Sequence, residues 1–460
     1  MNTSMETKQQ EPFSSIEREK KNTSHAVTFD LDELMNCMRC GFCLPSCPTY
    51  RETGKEMFSP RGRIALMKGI ATGNTSLLSD EFAQNMYMCL GCRACETACP
   101  AGVHYGRLVE GARDVIEGHK RKEAVASDQP LTLTRKERIV RDVVYKKLFL
   151  YPKRIERMGK GLWWMQALGL QTFADRTGLM RILPKPLANM QKAVPKVASP
   201  RRRKARKPLV TSQRGVSRGR VGFFTGCVMD VLFFETNEKT ARVLSKVGYD
   251  VVFVKEQACC GALHAHSGES YGAIALAKQN IEAFERANVD FIVNNAGGCG
   301  ASLREYAHWL QDDPKYGERA KAFVAKVRDI SEFLAPIDDL PFQGTLDATV
   351  TFQDSCHLRH GQGIYRQPRA LLERIPGITL VELPHADSCC GSAGIYNITN
   401  FDRSMRILDD KMIEVKATKA SYIVTANPGC LVQMRQGVVR AGLQGQVEAV
   451  HIIDLLDRVL

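Results

Sequence analysis

The sequence predicts an α+β multi-domain protein in which a helix-rich, cysteine-bearing domain is followed by two repeated α/β domains of parallel βαβ units. Three observations predict it. A chain of 460 residues exceeds a typical single core and calls for two to four compact units. Short Val/Ile/Phe-rich runs such as DVVFVK and ASYIVTA alternate with helical segments such as GAIALAKQNIEAFERAN, the pattern of parallel βαβ units. That pattern occurs twice: VGFFTGCVMD at 221 answers to VTFQDSCHLR at 350, and YDVVFVKEQACCG to ITLVELPHADSCCG.

In chain order, residues 1–28 form a polar leader. It contains no apolar stretch of a secretory signal, and no run of about 18 apolar residues follows that would cross a membrane. The sixteen cysteines therefore read as the reduced thiols of a cytoplasmic protein, free to bind metal.

Residues 29–118 carry the first cysteine set. CMRCGFCLPSCP places Cys37, Cys40, Cys43 and Cys47 before Pro48, and CLGCRACETACP places Cys89, Cys92, Cys95 and Cys99 before Pro100. Both are the C-x2-C-x2-C-x3-C-P run of bacterial 4Fe-4S ferredoxins, in which the fourth cysteine ligates the other cluster. One cluster is thus assigned to Cys37, Cys40, Cys43 and Cys99, and the other to Cys89, Cys92, Cys95 and Cys47. Zinc also accepts four thiolates, but it favours two separated pairs over this tight triple spacing. The intervening residues read as helical, with Ser59 as cap and Pro60 as first residue of a helix at SPRGRIALMKGI. This dicluster domain therefore resembles the helix-rich ferredoxin domain of respiratory dehydrogenase subunits.

Residues 119–218 form a basic, partly helical connector. Positions 120–220 hold 27 Lys and Arg against 6 Asp and Glu, a net +21 that leaves the remainder at −7. The apolar GLWWMQALGL at 161–170 has two readings, a helix packed on the ferredoxin domain or a surface for an anionic membrane or acidic partner. RRRKARKP at 201–208 reads as a solvated linker.

The repeats occupy 219–340 and 341–460. Each reads strand, helix, strand, cysteine pair, helix, strand, Gly-Cys loop, helix. Cys227 precedes Cys259-Cys260 by 31 residues and Cys299 follows after 38; Cys356, Cys389-Cys390 and Cys430 are spaced by 32 and 39. Every one falls just after a strand, where functional groups of parallel sheets gather, so four thiolates can converge on one soft metal centre. A vicinal pair suits a turn presenting two sulfurs, with the glycine after it permitting close backbone approach. Structural zinc or bare buried thiols remain the alternatives here. His264, His266, His357, His360 and His385 lie near these motifs as packing or surface histidines, with His357, directly after Cys356, the best candidate for a functional role.

The paired CCG segments resemble the cysteine-rich domain of heterodisulfide reductase subunits, of the third subunit of anaerobic glycerol-3-phosphate dehydrogenase, and of lactate-utilisation and glycolate oxidase iron-sulfur proteins. With the double ferredoxin run and SPRGRI at 59–64, the resemblance over 30–460 is strongest to the glycolate oxidase iron-sulfur subunits. The heterodisulfide reductase version ends in a further C-x-x-C, whereas GGCGAS and NPGCLV give one cysteine each. A four-cysteine iron-sulfur cluster, or zinc, is the cofactor open to each CCG domain beside the two 4Fe-4S clusters.

All sixteen cysteines are then used, and no G-x-G-x-x-G after a strand and no Walker loop occurs. Without a flavin or nicotinamide site the chain moves single electrons but takes no hydride, so no catalytic residue is assigned to it. The resemblance implies an electron-transfer subunit of a glycolate (2-hydroxy acid) dehydrogenase. A partner flavin-binding subunit would oxidise the substrate, and quinone or another acceptor would take the electrons, with peripheral contact on the inner face of the membrane. The same role toward lactate or glycerol 3-phosphate, or heterodisulfide reductase-like chemistry, is the first alternative. A zinc-stabilised scaffold binding nucleic acid is the second, opposed by the absence of aromatic stacking platforms near the positive run.

Overall fold

The computed structural model describes residues 30–73, 80–126, 142–170, 173, 177 and 193–460. The predicted leader and part of the connector lie outside the described residues.

The ferredoxin region is built from helices Leu31–Met35, Pro48–Thr53, Pro60–Ala71, Asp80–Tyr87, Ala94–Thr97 and Tyr105–Ala126. Ser59 caps the third of these, its side chain accepting from the Gly62 N–H with Pro60 in the first turn. Gly62 has no alternative, because a Cβ there would lie 2.0 Å from the Glu56 carbonyl oxygen of the preceding turn. Leu34, Ile64, Met67, Phe82, Met86, Val109 and Ile116 form the core under the cysteine runs.

The repeats are two sheets of one design. In the first, β2 (Arg220–Phe224), β3 (Asp250–Phe253), β4 (Phe291–Asn294) and β5 (Val327–Asp329) run parallel in the order β3-β2-β4-β5. In the second, β6 (Ala348–Phe352), β7 (Ile378–Leu380), β8 (Tyr422–Thr425) and β9 (Glu448–His451) repeat that order as β7-β6-β8-β9, again parallel. The first sheet alone gains an edge: β1 (Leu209–Val210), at the end of the connector, pairs antiparallel with β3. The two domains share one apolar core, in which Val221, Phe223, Val293 and Leu334 of the first meet Val350, Phe352, Val424 and Ile452 of the second. Each such residue taken fully from water contributes about 1.5–3 kcal/mol, so the pair packs as one body.

The connector differs from expectation in two places. RRRKARKP is largely exposed, as a solvated linker would be, but two of its arginines dock: Arg203 donates to the Val231 carbonyl at 2.7 Å, and Arg206 pairs with Asp230 (2.8 Å) and Glu238 (2.7 Å) while lying over the rings of Phe234 and Phe253. Helix Pro152–Ala167 buries Ile155 and Gly159, the latter against Val231 of the first CCG domain and not against the ferredoxin region. Trp164, Leu168 and Leu170 remain exposed. Gly159 decides this, since the helix can approach closely only along its side-chain-free strip.

Candidate metal centres

Each cysteine run is a coil whose thiols, the exposed Cys40 apart, are buried or half-buried. Two residues in each adopt the left-handed backbone at matching positions: Arg39 (φ 58°) and Gly41 (φ 90°) in the first, Gly91 (φ 64°) and Arg93 (φ 63°) in the second. An arginine there costs about 1–2 kcal/mol, so surrounding contacts must hold it. Arg93 is paired with Glu96 at 2.9 Å and Glu305 at 3.1 Å, and the Arg39 carbonyl accepts from Arg61 Nη1 at 3.0 Å.

One cavity is bordered by Cys37, Cys40 and Cys43 of the first run and by Cys95 and Cys99 of the second. A second is bordered by Cys47, Cys89, Cys92 and Cys95. Each takes three thiols from one run and the last thiol of the other, and Cys95 borders both. A lone zinc ion, with Zn–S bonds of about 2.3 Å, would need a tighter gathering. Among the described residues no group of three or more His, Cys, Asp or Glu side chains is placed to hold a single metal ion.

The charges around the second cavity fit an anionic iron-sulfur cluster. Arg63, fully buried, lines it. Its Nε donates to the Asn85 carbonyl at 2.8 Å and its Nη2 to Thr49 Oγ1 at 3.2 Å, while Nη1 is buried without a protein partner. Burial opposes the guanidinium charge, but Tyr105, Cys89 and Cys47 hold it protonated. Burial likewise raises the Cys89 thiol, and Arg63 and Arg113 more than offset it, leaving Cys89 below its ordinary value. Cys92 and Cys95 are pushed well up by burial and by neighbouring thiols. Thiols that resist ionising alone, beside a buried cation with no carboxylate partner among the described residues, suit a group that supplies iron to the sulfurs and negative charge to the arginine. Sequence reasoning missed Arg63 and Arg113. Arg63 stood inside the quoted SPRGRI, but nothing in its spacing marks it as buried.

In the CCG domains the cysteines stand at the carboxyl ends of the strands. Cys227 opens helix Cys227–Leu232 after β2, Cys259 and Cys260 follow β3, and Cys299 sits in the first turn of helix Gly297–Trp309 after β4. Cys356, Cys389 with Cys390, and Cys430 repeat this after β6, β7 and β8. The thiols of each set stand as a chain of neighbours, Cys227–Cys259–Cys260–Cys299 and Cys356–Cys389–Cys390–Cys430, with Cys227 Sγ 3.4 Å from Cys259 Sγ. Such contact drives Cys259 and Cys390 well below the usual thiol range, as acceptors from their neighbours, and raises Cys227, Cys260, Cys389 and Cys430. Buried or half-buried thiols strung together in this way cannot all ionise unless positive charge joins them. The glycine of each CCG is left-handed, Gly261 at φ 86° and Gly391 at φ 89°, and a Cβ on Gly391 would lie 2.7 Å from the Ser404 carbonyl oxygen.

The five histidines take different places. His264 is buried with Nε2 at 3.0 Å from the Tyr145 carbonyl and Nδ1 without a partner. His266 Nδ1 meets Glu110 at 2.6 Å. His357 Nε2 donates to the Gly91 carbonyl at 2.9 Å; burial first, then His266, pushes its pKa down to about 3, so the ring is neutral. His360 bridges Thr97 (2.8 Å) and the Asp387 carbonyl (3.0 Å), and His385 is an exposed partner of Glu414. His357 and His360 thus stand at the seam with the second cysteine run.

Comparison with known proteins follows these regions. Residues 33–103 match the 4Fe-4S dicluster domain, 136–194 the linker region of the glycolate oxidase iron-sulfur subunit, and 221–304 and 350–435 the cysteine-rich domain. Lactate utilization protein A of Oceanobacillus iheyensis is 34% identical across 52% of this chain and 96% of its own length. Glycolate oxidase iron-sulfur subunit of Escherichia coli is 31% identical across 95% of this chain and 97% of its own. Probable glycolate oxidase iron-sulfur subunit of Bacillus subtilis is 47% identical across 96% of this chain and 98% of its own. With matches running from the cysteine runs through the linker to both repeats, the chain belongs to the glycolate oxidase iron-sulfur subunit family.

Proposed function

We propose that this chain is the electron-carrying subunit of a glycolate-oxidising complex, with substrate oxidation housed in a flavin-binding partner. The observation that carries this is the pair of adjoining cavities, each bordered by three thiols of one run and the fourth of the other, with Cys95 common to both. Cys37, Cys40, Cys43 and Cys99 would hold one 4Fe-4S cluster, and Cys89, Cys92, Cys95 and Cys47 the second. Such clusters supply one-electron transfer at nearly fixed geometry. The protein's part is to seat them, to place Arg63 and Arg113 beside Cys89, and to keep water from the second site.

The first site offers the partner an approach. Cys40 is exposed, and Met35, Met38 and Phe42 around it are each about two-thirds exposed, at 68%, 66% and 67%. An apolar collar beside an exposed electron carrier suits a docked redox subunit. On the acceptor side, helix Pro152–Ala167 carries Lys153, Arg154, Arg157 and Lys160 ahead of exposed Trp164, a composition that favours an anionic membrane surface and a quinone within it. Among the described residues no helix is long and apolar enough to cross a membrane.

The test is anaerobic isolation with whatever stays attached, followed by assays for iron, acid-labile sulfide and flavin. Dye reduction is then measured with glycolate, lactate and glycerol 3-phosphate. Iron and sulfide in this chain, flavin only in the partner, and turnover with glycolate are expected. Zinc in place of iron, or turnover by this chain alone, would overturn the proposal.

A further inference from the structure

The two CCG sites carry the same four cysteines but stand differently toward the ferredoxin runs. In the second domain, helix Cys356–Gln362 lies against the second run, tied by His357 to the Gly91 carbonyl and by His360 to Thr97. Cys356 and Cys389 pack in one cluster with Leu90, Cys92 and Tyr396. Tyr396 is 4% exposed, lies within electrostatic reach of both Cys89 and Cys389, and has a buried hydroxyl without a partner among the described residues.

The first domain differs. Cys227, Cys259, Cys260 and Cys299 pack with Phe149, Leu150 and Tyr151 of the connector and with Tyr306, in a cluster that holds none of the described ferredoxin residues. That domain touches the ferredoxin region elsewhere, where Arg113 donates to the His266 carbonyl at 2.6 Å and Arg93 pairs with Glu305. Its own link to the second site runs through Asn427, whose Oδ1 accepts from the Gly298 N–H at 3.0 Å and whose Nδ2 donates to Cys430 Sγ at 3.6 Å.

Electronic overlap falls off steeply with separation, so contact decides which neighbour exchanges electrons. We propose that the second CCG site, on Cys356, Cys389, Cys390 and Cys430, is the redox neighbour of the ferredoxin runs through the Cys92–Cys356 contact, and that the first CCG site lies behind it. This rests on the electron-carrying reading above and adds an order to it. One electron leaves the reduced cluster on Cys89, Cys92, Cys95 and Cys47, which is oxidised. An iron-sulfur centre on the second CCG set gains it and is reduced, with no bond made or broken.

The test is a redox titration of the full complex followed by electron paramagnetic resonance, comparing wild type with Cys390→Ser, Cys260→Ser and Tyr396→Phe. Cys390→Ser is expected to shift the midpoint potential of one ferredoxin signal and narrow its lines, by loss of a paramagnetic neighbour. Cys260→Ser should leave both ferredoxin signals unchanged. Tyr396→Phe, which keeps the packing, should move the same signal as Cys390→Ser at unchanged iron content, so the comparison stands even where a cysteine variant fails to fold. Ferredoxin signals indifferent to Cys390→Ser and Tyr396→Phe, or equally sensitive to Cys260→Ser, would overturn the order, as would zinc in the second CCG site. In each of those cases the ferredoxin signals persist, whereas failure of the electron-carrying reading removes them altogether.

Discussion

The two cysteine runs share one backbone and differ in almost everything around it. Left-handed residues stand two and four positions after the first cysteine in both, yet Arg39 and Gly41 in one become Gly91 and Arg93 in the other. The first run lies at the surface with Cys40 exposed, while the second is enclosed by Arg63, Tyr105 and the second CCG domain. Thiol spacing therefore dictates the coil, and the neighbours set the charge, solvation and access that tune a cluster's potential.

The sharpest break of that comparison exploits the crossed fourth thiols. Cys99→Ser is expected to remove the cluster of the first run and Cys47→Ser that of the second, each losing about half of the ferredoxin-type iron. Iron analysis with paramagnetic resonance identifies which signal disappears; loss of the same-run cluster instead would contradict the crossed arrangement.

Arg63→Met should act on one side only. It leaves the Asn85 carbonyl and the thiol set without their buried cation, costing about 3–5 kcal/mol of stability by thermal unfolding. Removing positive charge disfavours the more negative reduced state, so the midpoint of the second-run cluster falls while the first stays fixed. Arg63→Lys should recover part of both effects.

At the exposed end, Phe42→Glu should slow reduction by the partner about tenfold, equivalent to about 1.4 kcal/mol, with both cluster spectra unchanged. Stopped-flow mixing of the separated subunits measures this.

The smallest effects test the swapped arginines. Glycine relieves the left-handed backbone at either position. Arg93→Gly also strands Glu96, a carboxyl whose pKa burial raises despite that arginine, and should cost about 1 kcal/mol net. Arg39→Gly strands nothing among the described residues, where only its backbone carbonyl is engaged, and should gain about 0.5 kcal/mol. Equal outcomes for the two would mean the surroundings do not matter.

Much of the molecule is legible from residue order. Ser59 and Pro60 announce their helix, and the strand-to-cysteine register of both repeats follows from Val/Ile/Phe runs that precede Cys227 and Cys356 closely and Cys259 and Cys389 by a loop. β5 and β9 were harder, since VRD and EAVH are too short to separate from the helices that follow them. Arg203 and Arg206 look like solvent-facing charge until Asp230, Glu238 and two phenyl rings from other segments come to meet them. Trp163 and Trp164 read as candidates for burial, yet Trp164 is 55% exposed because the helix seats itself on Gly159 instead.

By itself, the sequence determined the thiol sets, the tight coils that present them and the duplication of three strands in each repeat, because each depends on a few covalently linked residues or a short hydrophobic period; the fourth strand of each sheet and the strand order came from the fold. Only the tertiary structure decided that Arg63 is buried beside Cys89, that Cys356 meets Cys92, and that the two repeats face the runs unequally. Those pairings join residues up to several hundred positions apart. They are fixed by which apolar faces pack together, and near-identical motifs carry no record of that choice.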